Sequence, residues 1–247
     1  MLQRRDFMGN KKIVANQKMY MTREDIGRFI NIIGSLSSDQ FIVCPSSIYL
    51  NEFQDTNLHL GIQNICPYEK GAYTGEISIG QAKDYQVQYA IIGHSERRSL
   101  FSEKNEMFQK KIELCLKEEV TPIFCIGETK EQYEMHKTNQ VLKRQLFDVL
   151  KNIDSKQISK IIIAYEPVWA IGTGLVPTEQ EIDAIVVYIK QLIKQEWNQE
   201  VEVLYGGSVN YKNIQKLKTI SSIDGFLVGG ASKDAGELLK MYEVVVS

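Results

Sequence analysis

Lys160-Ile161-Ile162-Ile163-Ala164-Tyr165-Glu166-Pro167-Val168-Trp169-Ala170-Ile171-Gly172-Thr173-Gly174 runs from an apolar strand into one carboxylate and then into a loop bounded by proline and glycine. A carboxylate at the mouth of a buried strand, beneath a loop built to move, has the form of a general base under a lid. Alone, such a Glu would read as a solvated strand end. It is not alone. Two more apolar strands end in paired glycines, Tyr205-Gly206-Gly207-Ser208 and Leu227-Val228-Gly229-Gly230, and a fourth ends in Gly93-His94-Ser95-Glu96-Arg97-Arg98.

Working outward, short runs of Ile, Val, Leu and Phe alternate with longer amphipathic segments, the pattern of strand-helix units around a parallel sheet. The spacing predicts strands over Lys12–Ala15, Phe41–Cys44, Leu58–Gln63, Tyr89–Gly93, Pro122–Cys125, Lys160–Tyr165, Val201–Leu204 and Gly225–Val228. Helices are predicted over Arg23–Ser35, Glu103–Glu118, Thr138–Leu150, Thr178–Glu196, Tyr211–Leu217 and Ala235–Val244. Only the connection between the second and third strands reads as too short for a long helix. One face of each helix is apolar, as with Ile182, Ile185, Val186, Ile189 and Ile193, and that face belongs on the sheet.

No linker or low-complexity tract divides the 247 residues, and α/β barrels of this length form one domain. Eight undivided strand-helix units favour a closed eight-stranded parallel (β/α)8 barrel over an open doubly wound sheet. Chemistry sorts to one end of it. Asn16 and Lys18 follow the first strand, His94 the fourth, Glu166 the sixth, Ser208 the seventh, and Gly229-Gly230 the eighth. These are C-terminal strand ends, where this barrel places its sites.

Composition narrows the function classes. At 43% hydrophobic and 24% charged residues the chain has ample core material, and a net charge of −2 gives no bulk attraction to nucleic acid. A phosphate-sized anion met by local groups suits it better. Met1 to Asn10 has no apolar run behind its charges, so residues 1–10 read as a short, poorly ordered extension rather than a signal or membrane anchor. Cys44, Cys66, Cys115 and Cys125 lack close metal-ligand spacing, and His59, His94 and His136 are far apart, so no metal site is expected. Buried, reduced thiols in a cytoplasmic protein are expected instead.

From about Lys12 onward the chain resembles the triosephosphate isomerase family. The resemblance rests on Asn16-Gln17-Lys18-Met19, Gly71 to Glu76, Gly93 to Arg98, Cys125-Ile126-Gly127-Glu128, Ala164 to Gly174, Tyr205 to Asn210 and Asp224 to Ser232, in that order. It implies interconversion of dihydroxyacetone phosphate and glyceraldehyde 3-phosphate without cofactor or metal. Moving a proton between adjacent carbons needs a base at carbon, an electrophile at the carbonyl oxygen and a guard against phosphate elimination. By resemblance Glu166 is the base, and a neutral His94 the electrophile, as this family is known for. Backbone N–H groups where Ser95 and Glu96 open a helix would oppose a second charge on that ring.

The resemblance also assigns Lys18 to the developing negative charge, with Asn16 beside it and Glu96 behind. Backbone N–H groups of Gly172, Ser208, Gly229 and Gly230 would hold the phosphate, glycine allowing the close approach. Ile171 and Leu227 would close over Glu166; Tyr205 and Ser208 would hold the closed lid, Glu128 and Tyr165 its open position. Without the family, Ile171 and Leu227 read as core. Thr74, in the long loop Tyr68 to Ile79, would enter a pocket of a second subunit near its Asn16, Lys18 and His94, with Met19 at the contact of a homodimer. Arg97 and Arg98 are expected in structural pairs with Glu103 and strand ends, and Cys125 in packing.

Some residues depart from the family pattern. Gln17 replaces an aromatic, Tyr20 a small polar residue, Leu175-Val176-Pro177 alters the second lid hinge, and Leu100-Phe101-Ser102-Glu103 lacks a Gly. Two rival classes are another phosphate-binding barrel enzyme and a catalytically silent phosphate-binding barrel protein. Silence would be expected to show as loss of Lys18, His94 or Glu166, and all three are present.

Overall fold

Eight parallel strands, β1 (Lys12–Asn16), β2 (Phe41–Cys44), β3 (His59–Ile62), β4 (Val87–Ile92), β5 (Thr121–Ile126), β6 (Ile162–Tyr165), β7 (Val203–Tyr205) and β8 (Gly225–Val228), each pair with the next, and β8 closes onto β1. The computed structural model describes residues 11–247; the expected extension over residues 1–10 lies outside the described residues. The closed (β/α)8 barrel expected from the sequence is the fold.

Strand alternation builds two cores. Val14 lies in register with Ile42 and Leu227, and all three fill the barrel's interior with Ile91, Ile123 and Leu204. Ile13 and Ala15 point the other way, into a larger cluster shared with the surrounding helices. Both clusters are close-packed side chains, so the barrel is a solid frame and not a pore.

The helix Glu179–Trp197 shows how the outer layer is tied on. Thr178 and Glu181 form a capping box, and Asn198 ends the helix in a left-handed turn at φ 54°. Ile182, Val186, Ile189, Leu192 and Ile193 are buried, each worth about 1.5–3 kcal/mol. Ile185 is a partly buried neighbour of that face and not part of its centre, which Leu192 completes.

Three expected elements differ. The helix foreseen from Glu103 begins at Asn105, because Ser102 turns left-handed at φ 54° and Lys104 is extended. Glu103 instead turns inward to meet Arg97 and Lys111. The segment foreseen as helix from Tyr211 is helical only over Ile214–Leu217, since Asn210 N–H donates to Asn213 Oδ1 and Lys212 N–H to Asn210 Oδ1, turns that compete with helix. The connection from β3 to β4 also lacks a long helix, with only Ile79–Lys83 after an extended loop.

Candidate active site

The C-terminal strand ends enclose a cleft of about 190 Å³ lined by Asn16, Lys18, Tyr20, His94, Glu166, Ile171, Gly172, Gly206 to Asn210, Leu227 and Gly229 to Ala231. Every residue expected to act on the substrate or its phosphate lines it. A larger cavity of about 940 Å³ opens at the opposite end of the barrel, where Lys12 pairs with Glu202 at 2.6 Å and Lys190 with Asp224 at 2.7 Å. It gathers no reactive groups, and the smaller cleft is the candidate site.

Lys18 is delivered by a strained turn. Directly after β1 its backbone is left-handed at φ 50°, a conformation that costs a non-glycine residue of order 1–3 kcal/mol. Local bonds hold it there: Lys18 N–H donates to Asn16 Oδ1 at 3.2 Å, and Gln63 Nε2 donates to Lys18 O at 2.9 Å and to Cys44 O at 3.0 Å. The ammonium lies 2.6 Å from Glu96 Oε1. Gln63 was not foreseen, because nothing in its position at the end of β3 announces a partner on β1.

His94 caps the short helix Ser95–Ser99. Glu96 N–H donates to His94 Nδ1 at 3.3 Å, which in the neutral ring leaves the proton on Nε2. Nε2 faces Glu166 Oε1 at 3.2 Å. Burial pulls the His94 pKa down, but the Glu166 carboxylate outweighs it and the net position is above the ordinary imidazole value. The expected helix N–H is present; the influence that draws a proton to the ring is Glu166. Burial conversely pushes the Glu166 carboxyl up, and His94 and Lys18 outweigh it and hold it below the usual carboxylate range. The two shifts describe one pair, and the shared proton is a property of that pair.

Glu166 is 3% exposed, and its Oε2 has no hydrogen-bond partner among the described residues. Its seat depends on two glycines: a Cβ on Gly127 would run into the Glu166 carbonyl, and one on Gly206 would come within 2.8 Å of Glu166 Cγ. Of the paired glycines after β7, Gly206 makes room for the carboxylate. Cys125 stands beside Glu166, and burial pushes its thiol well above the ordinary value, so it packs rather than reacts.

At the other end of the cleft, Gly229 precedes the single turn Gly230–Lys233, and a Cβ there would lie 3.3 Å from Lys18 Cε. The buried Ser232 hydroxyl bridges Asn16 O at 2.8 Å and Gly229 O at 2.5 Å, fastening the β1 end to the β8 end. Ser232 was within the quoted family block without a role. Arg97 pairs with Glu103 at 2.6 Å, and Arg98 donates to Gly93 O and Cys125 O, the ion pair and the strand ends expected of the two arginines.

The segment from Pro167 to Pro177 arches beside the cleft. Its first turn, Val168–Ala170, is held by Trp169 Nε1 donating to Glu128 Oε1 at 2.9 Å, beside the Tyr165 hydroxyl at 3.2 Å. Burial pushes the Glu128 carboxyl up in spite of those bonds. Gly172 to Val176 are exposed, and among the described residues no hydrogen bond joins them to Tyr205 or Ser208, whose expected contacts with a closed lid are therefore absent from this arrangement. Leu227 is buried in the barrel core and also lines the cleft, as does the half-buried Ile171.

Thr74 is not in the cleft; the loop Gly71 to Glu76 is exposed, with Tyr68 and Tyr73 stacked 4.4 Å apart. Gln17 is buried, with neither amide atom partnered among the described residues, and Lys233 lies over the Tyr20 ring at 5.2 Å. Among the described residues no group of three metal-ligating side chains occurs, and no helix is long and apolar enough to cross a membrane.

A family model described as triosephosphate isomerase matches residues 11–245. A triosephosphate isomerase of Dictyoglomus turgidum is 42% identical over 237 residues, covering 91% of this chain and 95% of that protein. One from Thermodesulfovibrio yellowstonii is 41% identical over 245 residues, 95% of this chain and 99% of that protein. One from Mesomycoplasma hyorhinis is 38% identical over 245 residues, 95% and 98% of the two chains.

Proposed function

Because this chain belongs to the triosephosphate isomerase family, its activity is the glycolytic isomerisation of dihydroxyacetone phosphate and glyceraldehyde 3-phosphate, and we propose that Glu166, His94 and Lys18 carry the reaction. Glu166 takes a proton from one carbon and returns it to the next, while the electron pair moves onto the carbonyl oxygen to give an enediolate. His94 Nε2–H and the Lys18 ammonium meet that oxygen. A donor so placed is worth about 2.7–4 kcal/mol of barrier, more than it would be in water.

The observation that carries this reading is the convergence of the three side chains in one small cleft, with Glu166 already facing His94 Nε2. Substrate oxygen entering there displaces the carboxylate from Nε2. That weakens the largest influence raising the His94 pKa; burial, the Lys18 charge and the Glu96 N–H then favour neutral imidazole against the Glu96 carboxylate 3.5 Å from Nδ1. As neutral imidazole the ring donates Nε2–H to one enediolate oxygen and takes the proton of the neighbouring hydroxyl, so the oxygen proton passes from one oxygen to the other as Glu166 carries the carbon proton between carbons. Asn16 and Glu96 position Lys18.

Gly172, Ser208, Gly229 and Gly230 offer backbone N–H groups to the phosphate, and the lid, with Ile171 above Leu227, excludes water so that the enediolate does not lose phosphate. Tyr205 and Ser208 hold the lid when it closes. A homodimer forms through the loop carrying Thr74, supported by its exposed, stacked Tyr68 and Tyr73 and by Met19, which is 92% exposed beside Lys18. Four buried free cysteines support a reducing, cytoplasmic setting.

A silent phosphate-binding barrel is not favoured, since the reactive side chains are present and gathered. A coupled assay of glyceraldehyde 3-phosphate formed from dihydroxyacetone phosphate separates the readings: turnover supports isomerisation, and phosphate binding without turnover supports silence.

A further inference from the structure

The two ends of the lid belong to different elements, yet one side chain outside the cleft touches the chemistry of both. Tyr133, in the short helix Lys130–Glu134 after β5, lays its ring on Trp169 with centroids 4.4 Å apart and planes 32° from parallel. Its hydroxyl donates to Glu181 Oε1 at 2.9 Å. Glu181 Oε2 meanwhile accepts from Thr178 N–H at 2.7 Å and from Thr178 Oγ1 at 2.8 Å. Glu181 thus divides its oxygens between Tyr133 and the second hinge. A continuous path, Trp169 to Tyr133 to Glu181 to Thr178, joins the lid's two feet without passing through the lid.

We infer that Tyr133 is a positioning residue that clasps both hinges while the lid stands away from the cleft, and so sets how readily the lid closes over the triose phosphate. The inference rests on the reading of Pro167 to Pro177 as a lid. Tyr133 does not line the cleft, so it acts through the hinges and not on substrate. To carry Gly172 toward Ser208, the turn Val168–Ala170 has to rotate, and the Trp169 indole rotates with it. An aromatic pair holds its rings in a preferred offset or tilted arrangement, so the rotation breaks the stack. The hydroxyl bond keeps the Tyr133 ring in place and stays with Glu181 and the anchored hinge, where Pro177 is buried. Removing the ring therefore favours the closed lid, by on the order of tenfold for an aromatic pair with its orienting hydrogen bond.

The chain has two tryptophans, so Trp197→Phe leaves Trp169 as the only indole reporter. In that background, Trp169 emission is titrated with glycerol 3-phosphate, which carries the carbon chain and phosphate of the substrate without a reactive carbonyl. Tyr133→Ala should half-saturate at roughly a tenth of the parent's ligand concentration and start from an emission closer to the liganded one, with kcat and KM falling together as release slows. Tyr133→Phe, which keeps the ring and loses the hydroxyl, should lie between and guards against misfolding of the alanine variant. A merely structural tyrosine would lower melting without tightening the ligand. Half-saturation unchanged or weakened in both variants, with a parent that responds, would overturn the clasp alone. A parent whose Trp169 emission ignores glycerol 3-phosphate would overturn the lid reading and the clasp with it.

Discussion

His94 Nε2 and Glu166 Oε1 stand 3.2 Å apart with both side chains buried, so each holds the other's charge in a place where water holds little of either. Burial lowers the His94 pKa, and the carboxylate overrides it and raises it above the usual imidazole range. A raised folded pKa contributes stability that is full below the unfolded value, about 6.5, and disappears as pH rises through the folded one. His94→Gln should therefore lower the melting temperature most near about pH 5.5 and least near about pH 9. Thermal unfolding of both proteins at the two pH values checks it, and an equal difference at both would remove the charged pairing.

Gln17 places an amide in the protein interior with no partner among the described residues for its nitrogen or its oxygen. Each unpartnered buried polar group costs about 1–3 kcal/mol, and methionine has nearly the same length and volume without one. Gln17→Met should melt several degrees higher, at about 2–4 °C per kcal/mol for a chain of this size. The backbone bond from Gln17 N–H to Cys44 O is untouched by the change. A lower melting point would mean that the amide has a partner.

Lys18 and Arg97 separate catalysis from scaffolding. Lys18→Ala should fold and lose on the order of a hundredfold or more in turnover, because in the proposed mechanism it faces charge that develops in the transition state. Arg97→Ala strips one of two cations from the buried Glu103 carboxylate and leaves Lys111 at 2.6 Å, so it should cost about 2 kcal/mol of stability with catalysis largely intact. Kinetics and unfolding on both variants test the split. A natively melting Arg97 variant with a large rise in KM would make Arg97 a phosphate ligand.

Thr74→Arg places a charge in the proposed subunit contact without a partner there, and should favour monomers. If the neighbouring loop braces Lys18 and His94, those monomers lose most of their activity. Sedimentation and assays across a dilution series read both effects; a monomeric variant with full turnover would show that each subunit completes its own site.

The barrel was legible in sequence because eight apolar runs and their glycine-rich ends repeat a pattern that needs no partner to be seen. Glu166, His94 and Lys18 were legible because strand ends point to one face. What stayed hidden is what depends on contact across the chain. Gln63 reaches Lys18 from β3, Ser232 reaches Asn16 216 positions away, and Gly206 yields space to Glu166. Glu103 reads as a helix start by its neighbours, and only Arg97 and Lys111 draw it inward.

Turnover of dihydroxyacetone phosphate by Glu166→Asp, beside the unchanged enzyme, tests the base assignment most directly. Shortening the side chain by one methylene withdraws the carboxylate from carbon by about 1 Å, which geometry alone makes worth on the order of a hundredfold in rate. The aspartate also sits against the same Gly127 and Gly206, so melting should change little. The account predicts near-native melting with kcat reduced about a hundredfold; a Glu166→Asp enzyme that turns over as fast as the parent would contradict it.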